Sequence, residues 1–187
     1  MQERFVSNEA PGQLELVRAF VNTRDVDDAT DDIATPAALA EWLRKQGLLG
    51  AGERAARADV ARAAELREAL REVLLGHHGG YDVDPAALDA LEAAARRARL
   101  EVRFAPDGTA RPAPGRGGVD GALGRLLAIV AEAQAEGTWQ RLKSCPADDC
   151  RWAFYDRSRN RSAVWCDMKV CGNRTKVRAY RERHGSV

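Results

Sequence analysis

The chain has 187 residues, enough for one or two small domains, and its apolar fraction of 45% is ordinary for a globular protein. The polar start has no signal-peptide core, and no apolar run is long enough to span a membrane, so we expect a cytoplasmic protein without membrane contact. The net charge of +1 is unevenly distributed: residues 139–187 hold 12 basic and 5 acidic residues, and the remainder holds 17 and 23. That division is typical of a basic binding module on an acidic body.

The first half of the chain predicts four helices from its apolar periodicity. Two of them begin at sequences that favour a helix start, Thr35-Pro36 and Asp84-Pro85, where the first residue caps the helix and the proline fits its first turn. The four helices are predicted over 13–23, 35–46, 53–75 and 84–97. In the fourth helix, Leu88 and Leu91 are expected to face inward.

Two segments of this helical half carry residue types that metals favour. The acidic loop Asp25–Asp32 offers carboxylates to a cation, but such clusters are more often solvated loops that cap the next helix. His77 and His78 follow the third helix, and two adjacent loop residues cannot share a tetrahedral ion without further ligands. We interpret both segments as loops without a metal.

The apolar period changes to two at Leu100, Val102 and Phe104, which predicts a strand. A turn sequence at Pro106-Asp107-Gly108 predicts a return strand over 109–114, which its two prolines confine to a sheet edge.

A further helix is predicted over 120–137. It is expected to bury Leu123, Leu126, Leu127, Val130 and Ala131. The predicted fold class is therefore mainly α. A helical N-terminal domain with a small β-hairpin, residues 1–138, precedes a small C-terminal four-cysteine module, residues 139–187.

All four cysteines lie in one stretch and form two equally spaced pairs: Cys145 and Cys150, then Cys166 and Cys171. Two C-x4-C knuckles suit a tetrahedral zinc, because each knuckle brings two thiolates to the ion. Four thiolates fill the coordination sphere, which favours a structural zinc over a catalytic one, and the pattern does not need His184 as a substitute ligand. Two disulfides are the alternative, which the lack of a secretory signal disfavours.

Six of the eleven aromatic residues follow Gly137. Because so small a module builds little core of its own, we interpret Trp152, Phe154 and Trp165 as core rather than as base-stacking platforms. The alternation over 152–155 predicts a strand, and we expect it to pair with 163–165.

Basic residues surround the cysteines. Three arginines lie on a turn-forming loop between the knuckles, and a terminal helix is predicted from Gly172-Asn173 onward. Val177, Tyr180 and His184 share one face of that helix, which we expect to pack on the knuckles while a basic face meets solvent or phosphate. The candidate nucleic-acid contacts are Arg157, Arg159, Arg161, Arg174, Lys176, Arg178 and Arg181.

The run Cys171-Gly172-Asn173-Arg174, preceded by Trp165-Cys166 and by residues 152–160, resembles the CGNR zinc-finger family. Residues 20–23 and the helical body after them are similar to the ABATE-type domain that accompanies this finger. The resemblance implies a bacterial, stress-related transcription regulator, with zinc bound by the four cysteines and DNA contacted by the finger.

One departure from the family pattern affects the expected DNA contacts. The family carries two arginines directly before the Trp-Cys pair, where this chain has Ala163 and Val164. If those arginines contact phosphate, DNA binding in this chain is weaker or rests on Arg157, Arg159 and Arg161.

We therefore expect a DNA-binding transcription regulator rather than an enzyme. Zinc is the expected cofactor, in a treble-clef-like or ribbon-like finger, and the helical domain is expected to sense a small-molecule effector or to mediate assembly. Two alternatives stay open: a zinc-stabilised protein–protein interaction module without DNA binding, and an unrecognised enzyme in the helical domain. Against the enzyme, the sequence has no nucleophile–base motif and no phosphate-binding loop.

Overall fold

The computed structural model describes residues 8–79 and 82–185. Its helices are α1 Leu14–Val21, α2 Pro36–Lys45, α3 Arg57–Gly76, α4 Pro85–Ala98, α5 Gly118–Ala135 and α6 Asn173–His184. Its strands are β1 Arg24–Asp25, β2 Thr30–Asp31, β3 Leu100–Phe104, β4 Ala110–Pro114, β5 Leu142–Ser144 and β6 Ala153–Tyr155. The strands pair consecutively into three antiparallel hairpins. The mainly α fold class with small hairpins is confirmed.

The main core forms around α1, which packs against α3 and α5. As predicted, α1 buries Leu14, Val17, Phe20 and Val21, spaced three and four residues apart on one helical face. Leucines from the other helices complete this core: Leu39, Leu43, Leu66, Leu70, Leu74, Leu123 and Leu126.

The predicted helix starts are confirmed at α2 and α4. The Thr35 hydroxyl accepts a hydrogen bond from the Ala38 N–H at 3.2 Å, and the Asp84 carboxylate accepts one from the Ala86 N–H at 2.8 Å. α3 begins later than predicted because Glu53 has another partner: its carboxylate accepts hydrogen bonds from the backbone N–H groups of Gly50 and Gly118. Glu53 thus ties the loop before α3 to the start of α5.

Two predicted core positions are wrong. Leu88 is 46% exposed, because only the C-terminal half of α4, from Leu91 to Ala98, packs on the core. Ala131 also faces solvent, although Val130 beside it is partly buried against the core.

The predicted pairing of 152–155 with 163–165 is also wrong. β6 pairs instead with β5, in the register Leu142↔Tyr155, Lys143↔Phe154 and Ser144↔Ala153. The first cysteine knuckle is the physical reason, because it reverses the chain and the Cys145 N–H then donates to the Trp152 carbonyl at 2.8 Å. The residues on either side of that knuckle therefore face each other.

The β5–β6 hairpin contributes to two hydrophobic clusters. Leu142, Ala153 and Tyr155 belong to the main core, whereas Phe154 packs with the four cysteines. The two ends of the chain therefore share packing across the predicted boundary at residue 138, and that boundary stays a prediction. Among the residues described, no helix is long and apolar enough to cross a membrane.

Candidate metal centre and basic surface

The four cysteine sulfur atoms converge on one point. All four lie within 4.8 Å of one another, and all four residues are buried. The Sγ atoms of Cys150 and Cys166, and those of Cys166 and Cys171, are 3.6 Å apart. A tetrahedral zinc with Zn–S bonds of about 2.3 Å places its sulfurs about 3.8 Å apart, whereas a disulfide holds them at about 2.05 Å. The geometry fits one ion and not two disulfides, and all four cysteines are free.

Backbone hydrogen bonds shape the second knuckle. The Asp167 carboxylate accepts from the N–H groups of Lys169 and Val170, and the Asp167 carbonyl accepts from Cys171 at 2.9 Å. These bonds close the π-helical turn Met168–Gly172, which brings Cys171 back to Cys166. A side chain at Gly172 would overlap the Met168 sulfur, so the exposed Met168 side chain would have to move to make room for it.

Four cysteine side chains this close together cannot all be thiolates without a cation, because their negative charges repel one another. Hydrogen bonds from the Cys150 and Cys166 thiols lower the pKa of Cys145. The pKa of Cys166 is raised, because its thiol donates to Cys145 and Cys150 and is buried beside them. Burial, followed by the Cys145 charge, also raises the pKa of Cys171. A dication removes this conflict, since it stabilises all four thiolates together.

A buried ion pair holds the loop between the knuckles. Lys143 is 4% exposed and Asp156 1% exposed, and the Lys143 Nζ lies 2.8 Å from the Asp156 Oδ2. The same ammonium also donates to the carbonyls of Arg161 and Ala163, at 2.7 and 3.1 Å. Burial acts to raise the pKa of Asp156, but hydrogen bonds from Lys143 and Ser158 outweigh it and lower that pKa. All donors of the Lys143 ammonium are thereby used, and both ends of the loop are fixed.

The three loop arginines have different surroundings. Arg157 donates to the Glu9 carbonyl at 2.8 Å, and its guanidinium lies 5.8 Å from the centroid of the Tyr155 ring. Arg159 and Arg161 are exposed, and neither forms an ion pair with any residue in the described ranges. The ordered loop therefore presents two unpaired guanidinium groups to solvent.

Arg174 is held at the start of α6 by acidic residues. Its guanidinium lies 3.2 Å from Asp27 and 3.3 Å from Asp149, and its Nη2 is 3.8 Å from the Cys171 sulfur. Asp27 lies in the acidic loop between β1 and β2, so Arg174 joins that loop to the second knuckle. Lys176, Arg178 and Arg181, farther along α6, are exposed.

The expected packing of the other α6 face is wrong. Val177 and Tyr180 are 49% and 58% exposed, because α6 leads away from the cysteine cluster. His184 stacks on Tyr180 with ring centroids 4.2 Å apart and is not part of the metal-ligand group. The core interpretation of the module's other aromatics is confirmed, since Phe154 is buried and Trp152 and Trp165 pack partly buried on the cysteine cluster.

The sequence did not reveal the side chains that hold the module to the helical body. Asn22 makes two hydrogen bonds with the backbone of Ala153, at 2.9 and 2.7 Å, and so acts as a short strand partner for β6. Arg71, buried on α3, donates to the carbonyls of Val21 and Arg151. The signal available in the sequence was that Arg71 directly follows Leu70, within the apolar pattern of the third predicted helix.

The two histidines after α3 also contact the module. His77 Nδ1 lies 2.7 Å from the Leu142 carbonyl, and His78 Nε2 lies 2.7 Å from the Ser144 carbonyl. Burial lowers the pKa of His77, so its ring is neutral and donates through Nδ1. These histidines are not metal ligands in the described structure, and they bind the backbone of β5 on either side of Lys143.

Comparison with known proteins yields two family matches. A model described as "CGNR zinc finger" matches residues 141–184, and the ABATE model, described as "Putative stress-induced transcription regulator", matches residues 14–137. No curated protein matches the chain. The finger match and the four converging thiols together make zinc the cofactor. Since the ABATE model covers more than half of the sequence, the chain belongs to the ABATE family and carries a CGNR zinc finger at its C-terminal end.

Proposed function

We propose that this chain is a DNA-binding regulator in which one zinc ion, bound by Cys145, Cys150, Cys166 and Cys171, orders a basic surface for the phosphate backbone. The ion has a structural role, because four thiolates leave no open position for a substrate. The basic surface consists of the loop arginines 157, 159 and 161 and the α6 residues 176, 178 and 181.

The ordered arginine loop is the observation that carries this proposal. Lys143 and Asp156 fix the loop from beneath, so a phosphate that binds Arg159 or Arg161 does not have to order the backbone first. A pre-ordered loop with unpaired guanidinium groups suits phosphate, since arginine donates to its oxygens in a planar fork.

Arg174 has a different role in this proposal. Its guanidinium is already engaged by two carboxylates and lies close to a cysteine sulfur. We therefore assign it to holding α6 on the knuckle, and the phosphate contacts of the helix to Lys176, Arg178 and Arg181. This assignment predicts that Arg174→Ala changes finger stability more than it changes the salt dependence of DNA binding.

The test is a salt titration of binding to a generic DNA duplex, followed by fluorescence anisotropy. Each phosphate contact contributes about 0.9 to the slope of log K against log salt. The Arg159→Ala/Arg161→Ala variant and the Lys176→Ala/Arg178→Ala/Arg181→Ala variant should each lower that slope, by up to about 1.8 and about 2.7. The matched control is Arg96→Ala on α4, an exposed arginine far outside the module, which should leave the slope unchanged.

Two outcomes would reject the proposal. Wild-type protein with one zinc per chain that does not bind duplex DNA at low salt would favour the protein–protein interaction module. Variants that keep both zinc content and the wild-type slope would show that these basic residues are only solvated. Cys166→Ser should abolish binding together with zinc content, a signature that separates loss of folding from loss of a contact.

A surface cavity supports a sensing role for the helical body. It has a volume of about 470 Å³ and is lined by Gln13, Gln46, Glu53, Arg116 and Arg125 among others. The Glu53 carboxylate already accepts hydrogen bonds from the Gly50 and Gly118 N–H groups, so the two arginines and two amides are left to bind a small carboxylate or phosphate ester. A panel of such anions should raise the melting temperature of the wild type and have less effect on Arg116→Ala, and no shift with any of them would reject this role.

A further inference from the structure

The β3–β4 hairpin has an apolar face that this chain does not cover. In the observed register Leu100 lies opposite Pro114, Val102 opposite Pro112, and Phe104 opposite Ala110, so these side chains share one face. The inner end of the face meets α5, where Pro114 lies against Gly124. The outer end is open, with Val102 65% and Phe104 73% exposed. The exposed apolar patch is therefore confined to the outer end of the hairpin.

The hydrogen-bond pattern shows which backbone groups of β3 point away from β4. Ala105 N–H donates to Thr109 at 2.9 Å and Gly115 N–H donates to Arg99 at 2.9 Å, so the odd-numbered residues of β3 bond to β4. Antiparallel strands alternate, so the even-numbered residues Leu100, Val102 and Phe104 direct their N–H and C=O groups outward. The facing prolines agree with this pattern, since they have no N–H to donate.

The two edges of the hairpin differ. β4 runs along α5, and two of its three outward-facing residues, Pro112 and Pro114, have no N–H to donate to a further strand. β3 contains no proline or glycine, and within the described ranges no group bonds to its outward N–H and C=O groups. An edge strand of this kind is a template for another strand, and proteins usually protect such edges.

We propose that the β3 edge is a self-association site, where a second copy of this chain pairs antiparallel with β3 about a two-fold axis through Val102. In that register Leu100 faces the partner's Phe104, and Val102 faces the partner's Val102. Glu101 faces the partner's Arg103, and Arg103 faces the partner's Glu101. Both apolar faces join into one, and each of the three outward residues gains hydrogen bonds.

The charge order selects this register and this partner. A two-fold interface must be complementary to itself, and the sequence Leu-Glu-Val-Arg-Phe has its two opposite charges placed symmetrically about the central valine. Sliding one strand by two residues keeps the outward groups aligned but places Glu101 opposite Glu101, or Arg103 opposite Arg103. Like charges directly opposite each other are destabilising, so neither slipped register competes. Glu101 and Arg103 are free to rearrange, since both are more than half exposed and lie 3.8 Å apart within one chain.

The small size of the interface sets the expected affinity. A five-residue strand pair with a few apolar side chains buries less than the about 1,200 Å² of a standard stable interface. The dimer is therefore reversible, and its population rises with protein concentration.

Charge substitutions test whether β3 pairs with β3 of a second copy. In sedimentation velocity across a concentration series, zinc-loaded wild-type protein should shift from the 20.4 kDa chain mass toward twice that mass. Glu101→Arg alone and Arg103→Glu alone should stay monomeric, because each places like charges across the axis. An equimolar mixture of the two variants should form a heterodimer, because every cross-strand pair is then opposite in charge. Lys45→Glu, an equal charge change at an exposed α2 position, should dimerise like the wild type.

Three results would overturn the proposal. They are a wild type that stays monomeric over the whole series, a single variant that still dimerises, and a mixture that does not recover the dimer. Circular dichroism melting and zinc content of each variant show whether it is folded. Since both substituted side chains are exposed, we expect wild-type values for both measurements.

Discussion

Replacing Asp156 by asparagine tests the contribution of the buried Lys143–Asp156 ion pair to the stability of the finger. The side-chain volume is unchanged, but the Lys143 ammonium stays buried beside an uncharged amide. The amide nitrogen must also replace one carboxylate oxygen, and both oxygens now accept hydrogen bonds: Oδ1 from Ser158, Oδ2 from Lys143 and Ala163. At least one of the groups that now donate to the carboxylate would therefore face the asparagine NH₂ group, which is itself a donor.

The expected loss of stability follows from the burial of both charged side chains. Removing one partner of a buried ion pair costs about 3–5 kcal/mol, because the other charge stays desolvated without compensation. Unfolding entropy is about 2.1 cal/mol/K per residue, or ~0.4 kcal/mol/K for a chain of 187 residues. Because β5–β6 also belongs to the main core, we treat unfolding as one transition. The melting temperature should then fall by about 8–13 °C.

Differential scanning calorimetry of the zinc-loaded proteins measures this fall. The matched control is Glu41→Gln, which breaks an exposed ion pair with Lys45 of similar length, 2.9 Å, and should not change the melting temperature measurably. If Asp156→Asn melts like the wild type with full zinc content, the buried pair does not hold the loop and our reasoning fails.

Three further predictions concern the metal and its surroundings. Elemental analysis should find one zinc per chain and almost none in Cys166→Ser; iron, or a second stoichiometric ion, would contradict the four-thiolate site. Chelation should expose residues 156–172 to hydrogen exchange and leave α3 and β5 protected, because Leu142 belongs to the main core; loss of protection throughout α3 would show that zinc supports the whole fold. The folded-state pKa of His77 lies below its unfolded value of about 6.5, so stability is complete above that pH and falls as the pH drops below it. His77→Asn should weaken that pH dependence in urea denaturation between about pH 7.5 and 5.5, and an unchanged dependence would exclude His77 as its source.

The sequence could predict features that depend on near neighbours along the chain. Thr35 and Asp84 cap helices through bonds to residues two or three positions away, and the cysteine spacing alone predicts two knuckles. Two long-range features were not predictable. The strand partner of β6 depends on how the first knuckle reverses the chain, and Val177 and Tyr180 satisfy helical periodicity with no surface to pack on.

The burial of two charged residues also could not be predicted from the sequence. Lys143 and Arg71 look like ordinary surface residues, because a charged side chain is usually solvated. Each is buried because carbonyl groups elsewhere need a donor: those of Arg161 and Ala163 for Lys143, and those of Val21 and Arg151 for Arg71. These acceptors are at least 18 residues away from their donors along the chain, so no local sequence pattern predicts these hydrogen bonds.

The links between finger and body connect the two proposals, DNA binding and β3 pairing. Asn22, Arg71 and His77 hold the finger to α1 and α3, which share one core with α5, and the β3–β4 hairpin packs on α5. A two-fold axis through Val102 would therefore relate the two fingers as well. A dimer with that symmetry reads an inverted repeat, because each half-site meets the same surface. Selection from a random duplex pool should therefore yield inverted repeats of constant spacing with wild-type protein, and single half-sites with Glu101→Arg. Half-sites from both proteins would reject the coupling while leaving DNA binding intact, and inverted repeats from both would place the symmetric contact on another surface.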